Sequence, residues 1–127
     1  MEETKKQVIV EFEIENGILI CKYQQGLEIN IDIAHQMIKD RRDYIKNKSY
    51  PTLLDARGLK SINREAREYS SSDEGYEGVT AGALLSGSIF TSYIGNFFLK
   101  ITSNKPNVPL RLFTDKQKAM EWLAQFI

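Results

Sequence analysis

Few residues of this 127-residue chain are of types that do chemistry, and their spacing limits what they can do. His35 is the only histidine and Cys21 the only cysteine. A hydrolytic triad would need His35 to meet a serine and a carboxylate, yet no strained Gly-x-Ser-x-Gly turn presents a nucleophile. His35 stands between Ala34 and Gln36, early in a helical stretch, and reads as a solvent-facing position rather than a general base. One cysteine, one histidine and no ligand pair at i, i+4 offer no metal set. Cys21 ends the run Ile18-Leu19-Ile20-Cys21, where a thiol acts as a small buried hydrophobe. It has no second cysteine for an internal disulfide. Asp73 and Glu74 pair two carboxylates within the polar run Ser70 to Gly78, a surface loop that leaves both solvated. Ser86-Gly87-Ser88 joins a strand to a helix, and free backbone N–H groups there suit an anion. It lacks both phosphate-binding glycine spacings, so it reads as a tight turn with Ser88 as cap. The expectation is a non-catalytic chain without metal or cofactor.

A richer constellation runs through Asp55, Arg57, Lys60, Ser61, Asn63, Arg64, Glu65, Arg67 and Glu68. It lies at the carboxyl end of one strand and along the next helix, where open α/β sheets receive ligands and partners. Charges of both signs with exposed arginines orient a partner surface. They also furnish the ordinary outer face of any solvated helix. Asp55, Arg57, Ser61, Asn63, Arg64 and Glu65 are taken as the candidate partner-binding residues.

The elements that must position these groups are legible from periodicity. Val8, Val10, Phe12 and Ile14 alternate with polar neighbours as a half-buried strand does. Asn16-Gly17 supplies a hairpin turn, and Ile18 to Tyr23 returns antiparallel. Asn30 caps a helix with Asp32 in its first turn. Ala34, Met37, Ile38, Tyr44 and Ile45 form its inner stripe, and Lys39, Asp40, Arg42 and Asp43 its outer face. Leu53-Leu54 opens a strand that ends at Asp55, and Ser61 or Asn63 caps a second helix with Ile62, Ala66 and Tyr69 inside. Val79 to Leu85 is a buried strand. It feeds a third helix in which Phe90, Tyr93, Ile94, Phe97, Phe98 and Ile101 recur at helical spacing. Two prolines between Ser103 and Pro109 end that helix. Leu110 to Phe113 is a last strand, and Thr114 with Gln117 forms a capping box for a helix striped by Ala119, Trp122, Leu123 and Phe126. The order β-β-α-β-α-β-α-β-α defines an α/β fold with a mostly parallel, mixed sheet and an N-terminal antiparallel hairpin.

Composition sets the outer bounds. The length suits one domain spanning residues 1–127, with enough chain to bury a core. Seventeen basic residues balance seventeen acidic ones, so no cationic excess exists to neutralise nucleic-acid phosphates. The polar opening carries no apolar signal-peptide core, and no uninterrupted apolar run is long enough to span a bilayer. The expected setting is the cytoplasm.

Leu53-Leu54-Asp55-Ala56-Arg57-Gly58-Leu59, Asn63-Arg64-Glu65-Ala66 and the Leu110-to-Leu123 ending together resemble the STAS domain of anti-sigma-factor antagonists and sulfate-transporter tails. The whole element pattern is similar to single-domain bacterial proteins grouped as STAS/SEC14-like. That resemblance implies a regulatory, protein-interaction module. In anti-sigma antagonists a D-S-S-G helix start carries the serine that a partner kinase phosphorylates. The matching positions here read Asn63-Arg64-Glu65-Ala66, with no hydroxyl. Glu65 places a constitutive charge near the helix start, either as a weak stand-in for phosphate or as a carboxylate that suits a first helical turn. SEC14-like relatives are associated with apolar ligands, so the alternative is a lipid or other apolar ligand held by Phe90, Tyr93, Phe97 and Phe98, at a membrane surface or in a pocket. Against a membrane role, Lys100 is that helix's only charge. Burial of the helix against the sheet, with a homodimer contact as an addition, is the competing reading.

Overall fold

The computed structural model describes residues 9–87 and 107–127. The aromatic helix expected at Phe90 to Ile101, and Ser88, lie outside the described residues. Strand β1 (Val10–Glu15) turns back at Asn16-Gly17 into β2 (Ile18–Tyr23). Asn16 at φ 52° and Gly17 at φ 82° both hold the left-handed conformation that a two-residue hairpin needs. Phe12 faces Cys21 and Val10 faces Tyr23 across the antiparallel pair. Glu11, Glu13 and Glu15 alternate along β1 and are exposed.

Helix α1 (Ile31–Ile45) starts at Asn30, whose Oδ1 accepts from the Ile33 N–H at 2.9 Å. It stops where Lys46 and Asn47 turn left-handed. Beyond it come β4 (Tyr50–Asp55), α2 (Arg64–Ser70), β6 (Val79–Leu85), β7 (Leu110–Phe113) and α4 (Lys116–Leu123), which runs into a final 3-10 turn. Two additions were not anticipated. Glu28–Ile29 (β3) and Ser61–Ile62 (β5) pair in parallel as a separate two-stranded sheet. The run Ser70 to Gly78, expected as a surface loop, contains a one-turn helix α3 (Asp73–Tyr76) and buries Ser71 and Gly75. Ser72 caps that turn, so the serines serve local backbone bonding as well as solvation.

The main sheet has the order β1-β2-β4-β6-β7. Only β1 and β2 are antiparallel, and the β2-β4, β4-β6 and β6-β7 ladders are parallel. Side-chain alternation divides the core in two. On one face Ile18, Ile20, Leu53, Ala81, Ala83 and Leu85 meet Ala119 and Leu123 of α4. Small side chains on β6 let that helix approach, and Leu53, Leu85 and Leu123 are completely buried. On the other face Leu19 and Cys21 pack with Ile45 of α1. A third cluster joins Ile29, Ala34, Ile62 and Ala66, tying the small sheet to α1 and α2. The capping box expected from Thr114 is replaced by Asp115, whose carboxylate accepts from the Lys118 N–H at 3.0 Å.

Candidate functional site

Asp55 closes β4 at its carboxyl end, and the chain turns at once through Ala56, Arg57 and Gly58. Ala56 donates its N–H to the Leu85 carbonyl at 2.8 Å, and Gly26 donates to the Gly58 carbonyl at 2.7 Å, so this turn is stitched to β6 and to the loop before β3. Arg57 reaches back over the strand end. Its Nε donates to Asp55 Oδ1 at 2.9 Å and its Nη2 to Oδ2 at 2.8 Å, a bidentate ion pair. Burial pushes the Asp55 carboxyl up, but the hydrogen bonds and charge of Arg57, with Lys22 beyond, outweigh it and hold its pKa below the ordinary range. The same bond raises the Arg57 pKa.

The remaining candidate residues stand on a second patch. Ser61 is half-buried in β5, paired with Glu28. Asn63, not Ser61, caps α2: its Oδ1 accepts from the Ala66 N–H at 3.0 Å. Arg64 and Glu65 are exposed in the first turn, and Arg64 Nε bonds Glu68 Oε1 at 3.1 Å. Arg67 Nη1 donates to the Ile62 carbonyl at 2.8 Å and anchors the helix to the small sheet. No hydrogen bond or ion pair among the described residues joins Asp55 or Arg57 to Asn63, Arg64 or Glu65. The structure therefore presents a paired group and a helix-start group. The alternative apolar-ligand residues Phe90, Tyr93, Phe97 and Phe98 lie outside the described residues.

The other reactive types occupy positions in keeping with their sequence context. His35 is exposed on α1, its ring 3.9 Å from that of Tyr69 by centroids. Tyr69 hydrogen-bonds Glu74, and burial together with that bond pushes its pKa up to about 12. Burial raises the Cys21 thiol to about 12, against a smaller lowering by the charge of Arg41. Ser86 is buried, with its N–H on the Phe113 carbonyl at 2.9 Å. Among the described residues no group of three metal-ligating side chains occurs, and no helix is long and apolar enough to cross a membrane.

One feature was not anticipated from sequence. Arg41 is only 7% exposed, buried on the α1 face turned to the sheet. It lines a cavity of about 110 Å³ whose other walls include Phe12, Tyr23, Met37, Leu54 and Leu84. The signal was present: Ala34, Ile38, Arg41 and Ile45 share one helical stripe, and each is buried.

A five-stranded mixed sheet with an antiparallel leading hairpin, completed by parallel strands and flanking helices, defines the SpoIIAA-like, STAS-type fold. The chain belongs to the family described as "Domain of unknown function (DUF7793)", whose model matches residues 12–127. It is similar to an uncharacterised protein of the DUF3478 family with a SpoIIAA-like fold from Shewanella loihica PV-4. That match has TM-score 0.66 and 15% identity, and covers 97% of this chain and 98% of the other. It is also similar to an anti-sigma factor antagonist from Mycobacterium paratuberculosis, with TM-score 0.57 and 13% identity over 90% of this chain and 92% of that one. No curated protein matches.

Proposed function

We propose that this chain is a non-catalytic regulatory module of the cytoplasm, one STAS-like domain across residues 1–127 that docks a protein partner. Asp55, Arg57, Ser61, Asn63, Arg64 and Glu65 form the docking surface. The observation that carries this reading is the Asp55–Arg57 pair. The Arg57 side chain is 47% exposed while that of Asp55 is 6% exposed, so a guanidinium is presented to solvent from a rigid base. A cation fixed in this way loses little conformational entropy on binding, which favours specific recognition of an acidic group on a partner. The likeness to an anti-sigma factor antagonist supports a protein as the binding partner.

In this reading the module works without the phosphorylation switch of that class. Asn63-Arg64-Glu65-Ala66 offers no hydroxyl at the helix start, and the Asn63 side chain is already committed to the cap. Arg64 and Glu65 then act as fixed rim charges that set the partner's orientation.

The test is affinity capture followed by binding of the purified partner to wild-type protein and to Arg57→Ala combined with Arg64→Glu. A loss of binding of at least tenfold, with the fold intact by circular dichroism, supports the surface. Unchanged capture and affinity refute it.

A further inference from the structure

Arg41 combines three properties rarely found together. It is buried, its partners are neutral, and it lines an apolar cavity. Its Nη2 donates to the Gly75 carbonyl at 2.8 Å and to the Glu77 carbonyl at 3.1 Å. Its Nε is buried and donates to no acceptor among the described residues. Glu77 is the carboxylate whose charge reaches Arg41, and that carboxylate is engaged by Arg42 at 2.8 Å. Cys21 and Tyr23 lie close enough to feel the Arg41 charge, but both stay neutral near pH 7 because burial raises their pKa values.

A guanidinium in a low-dielectric interior calls for an anion, and a buried N–H calls for an acceptor. A carboxylate supplies both at once: one oxygen accepts from the open Nε–H while its charge faces the guanidinium, whose Nη2 hydrogens are already given to the two carbonyls. Phe12, Met37, Leu54 and Leu84 supply apolar wall for the rest of such a molecule. Size restricts it further. The cavity of about 110 Å³ is ample for water but smaller than the roughly 150 Å³ apolar cavity that holds benzene. Scaling between the two gives a tail of roughly four or five carbons.

We propose that the cavity beneath α1 binds a short-chain aliphatic carboxylate, with Arg41 receiving the carboxylate and the sheet face receiving the tail. Ala56, Leu59 and Ile62 also line the cavity, so it backs onto the Asp55–Arg57 turn, and it assigns the chain a small-molecule input beside its docking role.

Isovalerate is the direct probe, with isovaleramide as the uncharged isostere, octanoate as the oversized acid and inorganic phosphate as the tailless anion. Binding is followed by NMR through the Arg41 Nε–H and the Leu54 and Leu84 methyl groups. Isovalerate is expected to shift all three saturably, at least tenfold more tightly than isovaleramide, octanoate or phosphate. Arg41→Met should remove the preference for acid over amide. Cys21→Leu, which fills the cavity from β2 and leaves Arg41 in place, should abolish binding of both, and it keeps the test available should Arg41→Met fail to fold. The absence of saturable shifts, equal affinity for the amide, equal affinity for phosphate, or unchanged binding to Cys21→Leu would each overturn the proposal.

Discussion

Arg57 clasps Asp55 through two parallel hydrogen bonds of 2.9 and 2.8 Å, and so holds a carboxylate buried at the end of β4 in its charged form. The pair has a thermodynamic consequence with a definite sign. A folded-state pKa below the unfolded value of about 3.9 stabilises the native chain above that value, and the contribution is lost as pH falls through the lowered one. Arg57→Ala leaves Asp55 buried without its partner. Because the arginine is half in water, the expected loss is about 1–2 kcal/mol at pH 7. The gap between wild type and variant should narrow at pH 3, and urea denaturation at the two pH values measures it.

Cys21 gives a chemical readout of the same sheet. With its pKa raised to about 12, the thiol is neutral near pH 8 and buried beneath α1 on a wall of the cavity, so low reactivity, rather than a closed path, protects it. Iodoacetamide should label the native chain at least ~100-fold more slowly than the urea-unfolded chain. Mass spectrometry over a time course decides this, and labelling at the unfolded rate would contradict the burial.

Two asparagines test the helix starts. Asn30→Ala and Asn63→Ala each remove a side-chain acceptor from a first-turn N–H, and each should cost about 1 kcal/mol. Asn63→Asp should keep most of that stability. Since Asn30 lies outside the proposed docking surface, partner binding should weaken in the second variant and hold in the first.

Leu123 of α4 is fully buried against β4 and β6. Truncation to Ala should destabilise the chain by about 2–5 kcal/mol, depending on how far the small residues of β6 relax into the gap. Thermal or chemical denaturation checks the magnitude.

How much of this was legible beforehand follows from the range of the forces involved. Asn16-Gly17 and the Asn30 cap are local signals, and both act as read. The parallel ladders followed from strands alternating with helices. Thr114 and Gln117 misled because Asp115, one residue on, is an equally good acceptor, and only the path out of β7 chooses between them. The polar run Ser70 to Gly78 hid α3 because serines that cap a turn look the same in sequence as serines that face water. Arg41 stands in neither the inner stripe nor the outer face read from the sequence, although its helical spacing from Ala34, Ile38 and Ile45 puts it on the buried stripe. The division of the proposed residues from Asp55 to Glu65 into two groups depends on β5 pairing with β3 instead of joining the main sheet, a long-range choice that no local signal carries.

The glutamates of β1 bear on how copies of this protein behave at high concentration. Among the described residues β1 borders the main sheet, where a strand offers its outer amides to a neighbouring chain, and a two-fold approach there would stack Glu11, Glu13 and Glu15 against their own counterparts. Mutual repulsion keeps that border from growing into a continuous ribbon, so crowding should not convert the hairpin into a nucleus for fibres.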